Sequence, residues 1–179
     1  MQTLRSSIFV IGLMAAGLAA LVATPGVSYA QSTLTAAQVE DIQAEVQAAI
    51  DAVQAQAFTS QDEMDAAMGD AIANVTVRLV NAYGSEAAEE ITLLVVATAN
   101  AAEIAGNVIG AGLGQAATQI AETDPETAIR IAEAVGAGGV EGILAAFNQT
   151  VVVYGRTELL TEITATPIAS SSCDNPSCT

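Results

Sequence analysis

From Thr35 onward, Val39, Ile42, Val46, Ala49 and Val53 recur at alternating intervals of three and four, which predicts one helix with a single apolar stripe. Thr35 is its expected N-cap, and the stripe runs to about Ala57. Phe58 and Thr59 then lead into Ser60 and Glu63, the spacing of a capping box. The second helix carries Met64, Met68, Ala71, Val75, Leu79 and Ala82 until Gly84 stops it. Two amphipathic helices joined by so short a turn read as an antiparallel hairpin. With only two to three heptads, ordinary core packing accounts for the stripe better than a dedicated coiled coil does.

A third helix is expected from about Ser85 through "ITLLVVATANAAEIAG". Its uninterrupted apolar run, Ile91 to Ala99, is too short for the ~20 residues of a membrane span. Asp124 and Pro125 mark another start, as N-cap and first helical residue, and the helix they open runs into "GAGG" at 136–139. "VEGILAAF" follows, and then "TVVVYG", whose β-branched run fits either an extended helix or a short strand. The repeated isoleucine-alanine steps at Ile104, Ile120 and Ile131 lack a fixed period, so the chain is no solenoid. The pattern predicts an all-α fold: an N-terminal antiparallel helical hairpin followed by shorter helices joined at glycine-rich turns.

Residues 106–114, "GNVIGAGLG", pose the main ambiguity of the chain. Ala102, Gly106, Gly110 and Gly114 lie four apart, as do Ala134, Gly138, Gly142 and Ala146. A fold-back near residue 124 would pair Gly106 with Gly142, Gly110 with Gly138, and Gly114 with Ala134. This makes a small-residue seam resembling the glycine zippers of membrane-associated helices, which insert into bilayers or stack with copies of themselves. Against it stands a penalty of about 1 kcal/mol per interior glycine, roughly 8 kcal/mol if all eight from Gly106 to Gly142 were helical. That balance favours joints near 106–114 and 136–139. Glu103, Glu122, Glu133 and Glu141 weigh further against burial in lipid.

Composition adds a compartment. Residues 1–30 carry Arg5, an apolar run from Ile8 to Ala23, a Thr-Pro-Gly turn, and small residues Ser28 and Ala30, the layout of a signal peptide cut between Ala30 and Gln31. The expected organisation is a signal at 1–30, a short extension at 31–34, a helical domain at 35–166 and a mobile tail at 167–179. That tail holds both cysteines, Cys173 and Cys178, which in an exported protein are expected to close a small local disulfide. Such a ring cross-links nothing distant and cannot hold the fold together.

All twenty acidic residues lie after position 30, against Arg78, Arg130 and Arg156 and no lysine, so the processed chain carries a formal charge of −17. This charge repels nucleic acid and anionic membrane surfaces. The acids gather at helix starts (Asp62, Glu63 and Asp65, then Glu86, Glu89 and Glu90), where they complement the helix dipole and require no metal. "DEMDAAMGD" lacks the alternating oxygen ligands of a calcium loop. With no histidine, no lysine, no G-x-S-x-G and no phosphate-binding loop, the commonest catalytic constellations are missing. The expectation is therefore an exported, non-catalytic protein without cofactor or metal, whose partner is another protein or itself.

Overall fold

A computed structural model describes residues 33–138 and 140–161. The signal boundary at Ala30 and Gln31, the cysteines Cys173 and Cys178, and the tail beyond 167 lie outside the described residues. Within them the chain is all-α, with six helices: α1 (Ala36–Gln54), α2 (Gln61–Tyr83), α3 (Ala88–Ala101), α4 (Gly106–Ala121), α5 (Pro125–Ala137) and α6 (Glu141–Val153). Short 3-10 turns at Ser85–Ala87 and Thr157–Leu159 complete the described secondary structure.

Local chemistry sets the helix starts. The Thr35 hydroxyl accepts from the Gln38 backbone N–H, and the Gln38 side chain accepts in return from the Thr35 N–H at 2.8 Å, a complete reciprocal cap. At α2 the Ser60 hydroxyl accepts from the Glu63 N–H, but the Glu63 carboxylate reaches one residue further back. It accepts from the Thr59 N–H at 2.9 Å and the Thr59 hydroxyl at 2.7 Å. Those two donors hold the Glu63 carboxyl below its ordinary range. Asp124 caps α5, accepting from the Thr127 N–H at 3.1 Å and the Thr127 hydroxyl at 2.6 Å, with Pro125 at the first helical position.

The Thr127 hydroxyl, followed by its backbone N–H, likewise holds the Asp124 carboxyl below its ordinary 3.8. A carboxyl depressed in the folded state stabilises it above the unfolded value, and that contribution vanishes as pH falls through the folded one. Asp124→Ala is accordingly expected to lower the melting temperature by a few degrees at pH 7. Thermal melts of both proteins from pH 7 to pH 2 should show the gap closing below pH 3.8; a gap independent of pH would mean that the carboxylate is not the cap.

Helix ends are equally local. At the end of α3 the Ile104 N–H reaches back to the Ala99 carbonyl and the Glu103 N–H to Asn100, the six-to-one closure of a Schellman motif. The same closure ends α6 through Arg156 and Val151, with Gly155 at φ 72°. At α3 the left-handed position is held by Glu103, at φ 60°, where a β-carbon is unfavourable.

The apolar stripes of all six helices meet in one core. Ile42, Val46 and Ile50 of α1, Ile72 and Leu79 of α2, Ile91 and Val95 of α3, Ile109 and Leu113 of α4, Ile131 of α5 and Phe147 of α6 are all essentially inaccessible. The first two helices pack on each other and are tied at the surface by Arg78, whose guanidinium donates to Glu45. The β-branched run at 150–153 is helical, not a strand. Val151 is buried there, and the Thr150 hydroxyl donates to the Ala146 carbonyl at 2.9 Å, so the packing of α6 overrides a modest local preference.

α2, α5 and α6 all pack on α4, most heavily α6 and α2, while α1 packs on α2 and α3. Eleven of the sixteen residues of α4 are buried. The break expected near 106–114 falls just before it, at 102–105, and the glycine stretch itself is helical.

Candidate functional site

A central helix rich in glycine brings its neighbours close on two sides. Toward α6, a β-carbon built on Gly110 would fall on the Ile143 carbonyl oxygen and lie 2.9 Å from its carbon and 3.0 Å from the Ala146 methyl. One on Gly114 would stand 2.8 Å from Thr150 Cβ and 3.1 Å from the Phe147 carbonyl oxygen. Gly106, at the start of the helix, is looser, facing Ile143 and Gly142 at ordinary contact distance. Toward α2, a β-carbon on Gly112 would lie 2.6 Å from the Gly69 carbonyl oxygen and 2.8 Å from Ile72 Cβ. Glycine is required at 110 and 112 because backbone, not a movable side chain, occupies the space.

The register differs from a fold-back about residue 124. Moving along α4 from Gly106 to Gly110 to Gly114, the opposing residues advance from 142–143 to 143–146 to 147–150. The numbers rise together, so α4 and α6 run in the same direction, with α5 returning the chain between them. Gly106 does lie beside Gly142, but Gly110 faces Ile143 and Ala146, and Gly114 faces Phe147 and Thr150. Gly138 caps the end of α5, and a β-carbon there would meet only its own helix's Ala134 and Val135 carbonyls. Ala134 is buried in α5, Ala102 is the C-cap of α3, and Gly142 and Ala146 are the members of the second series that face the first.

The penalty argument fails for a specific reason. Of the seven described glycines among the eight, only Gly110, Gly112 and Gly114 sit in a helix interior facing a neighbour. Gly106 and Gly142 lie in first turns, Gly136 in a last turn, and Gly138 at a cap. The helical penalty is then roughly 3 kcal/mol, not 8, and close backbone approach offsets it by bringing many atoms into dispersion contact.

On the outer side of the same pair lies a shallow groove of about 380 Å³. Asn107, Ala111 and Gln115, four apart on α4, form one wall; Gln149, Val153 and Tyr154 of α6 are on the other. Among the described residues, none of the three amide side chains has a hydrogen-bond partner within the chain. Val152 is 50% exposed, Val153 76% and Tyr154 55%, a concentration of accessible apolar surface at the end of α6.

No known protein family, curated protein or solved structure matches this chain. Its chemistry has to be read from its own residues.

Residues 104–121 and 142–155 contain no charged side chain, so α6 carries only Glu141 at its first position, whereas α1, α2, α3 and α5 all carry carboxylates. This uncharged window is a tertiary feature, because α4 and α6 are separated in sequence by α5 and meet only in the fold. Sequence reasoning singled out the glycines but missed Asn107, Gln115 and Gln149. The signal was available as two charge-free segments in a strongly acidic chain. Elsewhere, a cleft of about 300 Å³ between α2 and the start of α4 carries Asp65 and Glu103. Among the described residues, no group of three or more histidine, cysteine or carboxylate side chains is placed to share a metal ion.

Proposed function

We propose that this protein is exported, acidic and non-catalytic, and that it serves a binding or structural role in the cell envelope. The observation that carries the reading is the location of the small-residue seam. Gly110, Gly112 and Gly114 face α6 and α2 of their own chain, so they present no seam to lipid or to a zipper of other copies. Among the described residues, no helix is long and apolar enough to cross a membrane. The interior is consistent with a scaffold: no buried side-chain polar atom lacks a partner among the described residues. The buried hydroxyls of Thr76, Thr92 and Thr118 all donate to carbonyls one turn back.

Export supplies the test. When the full-length chain is expressed in a Gram-negative host, the protein recovered from the periplasm or medium should have lost residues 1–30 and begin at Gln31. Intact-mass measurement decides this; an unprocessed chain retained in the membrane or cytosol would overturn the exported reading. Co-flotation with phosphatidylcholine and phosphatidylglycerol vesicles should leave the processed protein in the soluble fraction, whereas uptake into both would revive a membrane-active role.

A further inference from the structure

We propose that the uncharged α4–α6 face is an interface that seats the same face of a second copy of this chain. The inference deepens the binding and structural reading above and rests on it.

Electrostatics selects the face. Two molecules of charge −17 repel wherever carboxylates come near each other, and α1, α2, α3, α5 and the first residue of α6 present carboxylates. The α4–α6 window offers close approach without that repulsion, since it has no charged side chain between residues 104 and 121 or between 142 and 155. A cationic partner would choose the acidic faces instead, so the window disfavours it.

The chemistry of the window suits a copy of itself. A two-fold contact sets one residue against a second and that second against the first, so the surface must be self-complementary. Primary amides meet this requirement because each offers both donor and acceptor, and Asn107, Gln115 and Gln149 are without partners among the described residues. Ala111 and Ala146 are the small residues of the groove's lining, and Val153 and Tyr154 in its other wall expose apolar surface that a second copy would cover.

Size sets the strength. A helix of sixteen residues is about 24 Å long, and a pair of packed helices is about 20 Å wide. The face therefore offers on the order of 500 Å² per copy, below the ~800 Å² of a standard interface. The dimer should be reversible, dissociating in the micromolar range or above. Because screening relieves the residual repulsion between copies, association should tighten with added salt.

Sedimentation equilibrium of the exported, full processed protein, from about 5 μM to about 500 μM, tests this directly. Expected is a monomer–dimer equilibrium that tightens between low and moderate sodium chloride. Gln149→Glu and Val153→Glu, both at exposed positions, should each weaken it at least tenfold without changing the melting temperature. Asn74→Asp, on the exposed side of α2, should leave it unchanged. A monomer throughout the range overturns the interface while leaving the export result intact. A dimer indifferent to both face carboxylates, or broken equally by Asn74→Asp, also overturns it. Uptake by neutral phosphatidylcholine vesicles that is lost on Gln149→Glu would assign the face to lipid and not to a second copy.

Discussion

Gly110→Ala is expected to destabilise the protein by about 3 kcal/mol or more, in the direction opposite to the usual effect of this substitution in a helix. Alanine in place of an interior helical glycine ordinarily gains up to about 1 kcal/mol. Here the added carbon would overlap the Ile143 carbonyl oxygen and press on the Ala146 methyl. Backbone on both sides cannot rotate away, so α6 must shift as a unit, and with it the packing of Phe147 and Val151. Gly142→Ala is the internal control. It lies in the first turn of α6 with nothing within 4 Å of an added β-carbon, so it should be neutral or stabilise by up to about 1 kcal/mol. Urea unfolding of the two variants beside the parent measures both. Stabilisation by Gly110→Ala would mean that α4 and α6 do not approach this closely, and the internal seam would have to be abandoned.

The second large effect is expected at Phe147, the bulkiest of the fully buried side chains. It sits on α6 against α4, and its carbonyl faces Gly114. In a described core otherwise made of alanine, valine, isoleucine, leucine and the single methionine Met68, few side chains are large enough to collapse into the space it vacates. Phe147→Ala should therefore destabilise by about 3–5 kcal/mol, a substantial part of the ~5–15 kcal/mol of a typical domain. Phe147→Leu should recover much of that loss. The readout is the urea midpoint at unchanged slope, with a reduced slope indicating a loosened native state. A loss below about 1 kcal/mol for the alanine variant would show that Phe147 does not hold α6 onto α4.

Much of the architecture is visible in the linear pattern, because helix formation is governed by nearest neighbours. Thr35, Ser60 and Asp124 announce the starts of α1, α2 and α5 through hydroxyl or carboxylate oxygens that satisfy free backbone N–H groups within three residues. Periods of three and four place Ile42, Val46, Val75 and Leu79 on inward faces before any tertiary contact is known. The joint near 136–139 is likewise local, since α5 ends at Ala137 and α6 begins at Glu141.

The glycines of α4 show where local reasoning stops. Intrinsic propensity weighs each glycine as a loss of about 1 kcal/mol, and from that alone the stretch 106–114 reads as a break. Whether the loss is offset depends on what approaches the missing side chain, and the partners are Ile143, Ala146 and Thr150 on one side and Gly69 and Ile72 on the other. Their distance along the chain makes the compensation invisible to any pattern of short range. Direction is equally non-local: a small-residue series is compatible with antiparallel or parallel pairing, and the α5 crossover selects parallel for α4 and α6.

The sequence by itself determined the helical class, the capped starts of α1, α2 and α5, and the strongly acidic charge, since each follows from residue type or from contacts within one helical turn. Only the tertiary structure decided that the glycines form an internal seam, that α4 is the central helix, and that two charge-free segments join into one surface. Those outcomes depend on close packing between residues 30 or more positions apart, where the free energy belongs to the pair of surfaces and to neither segment alone.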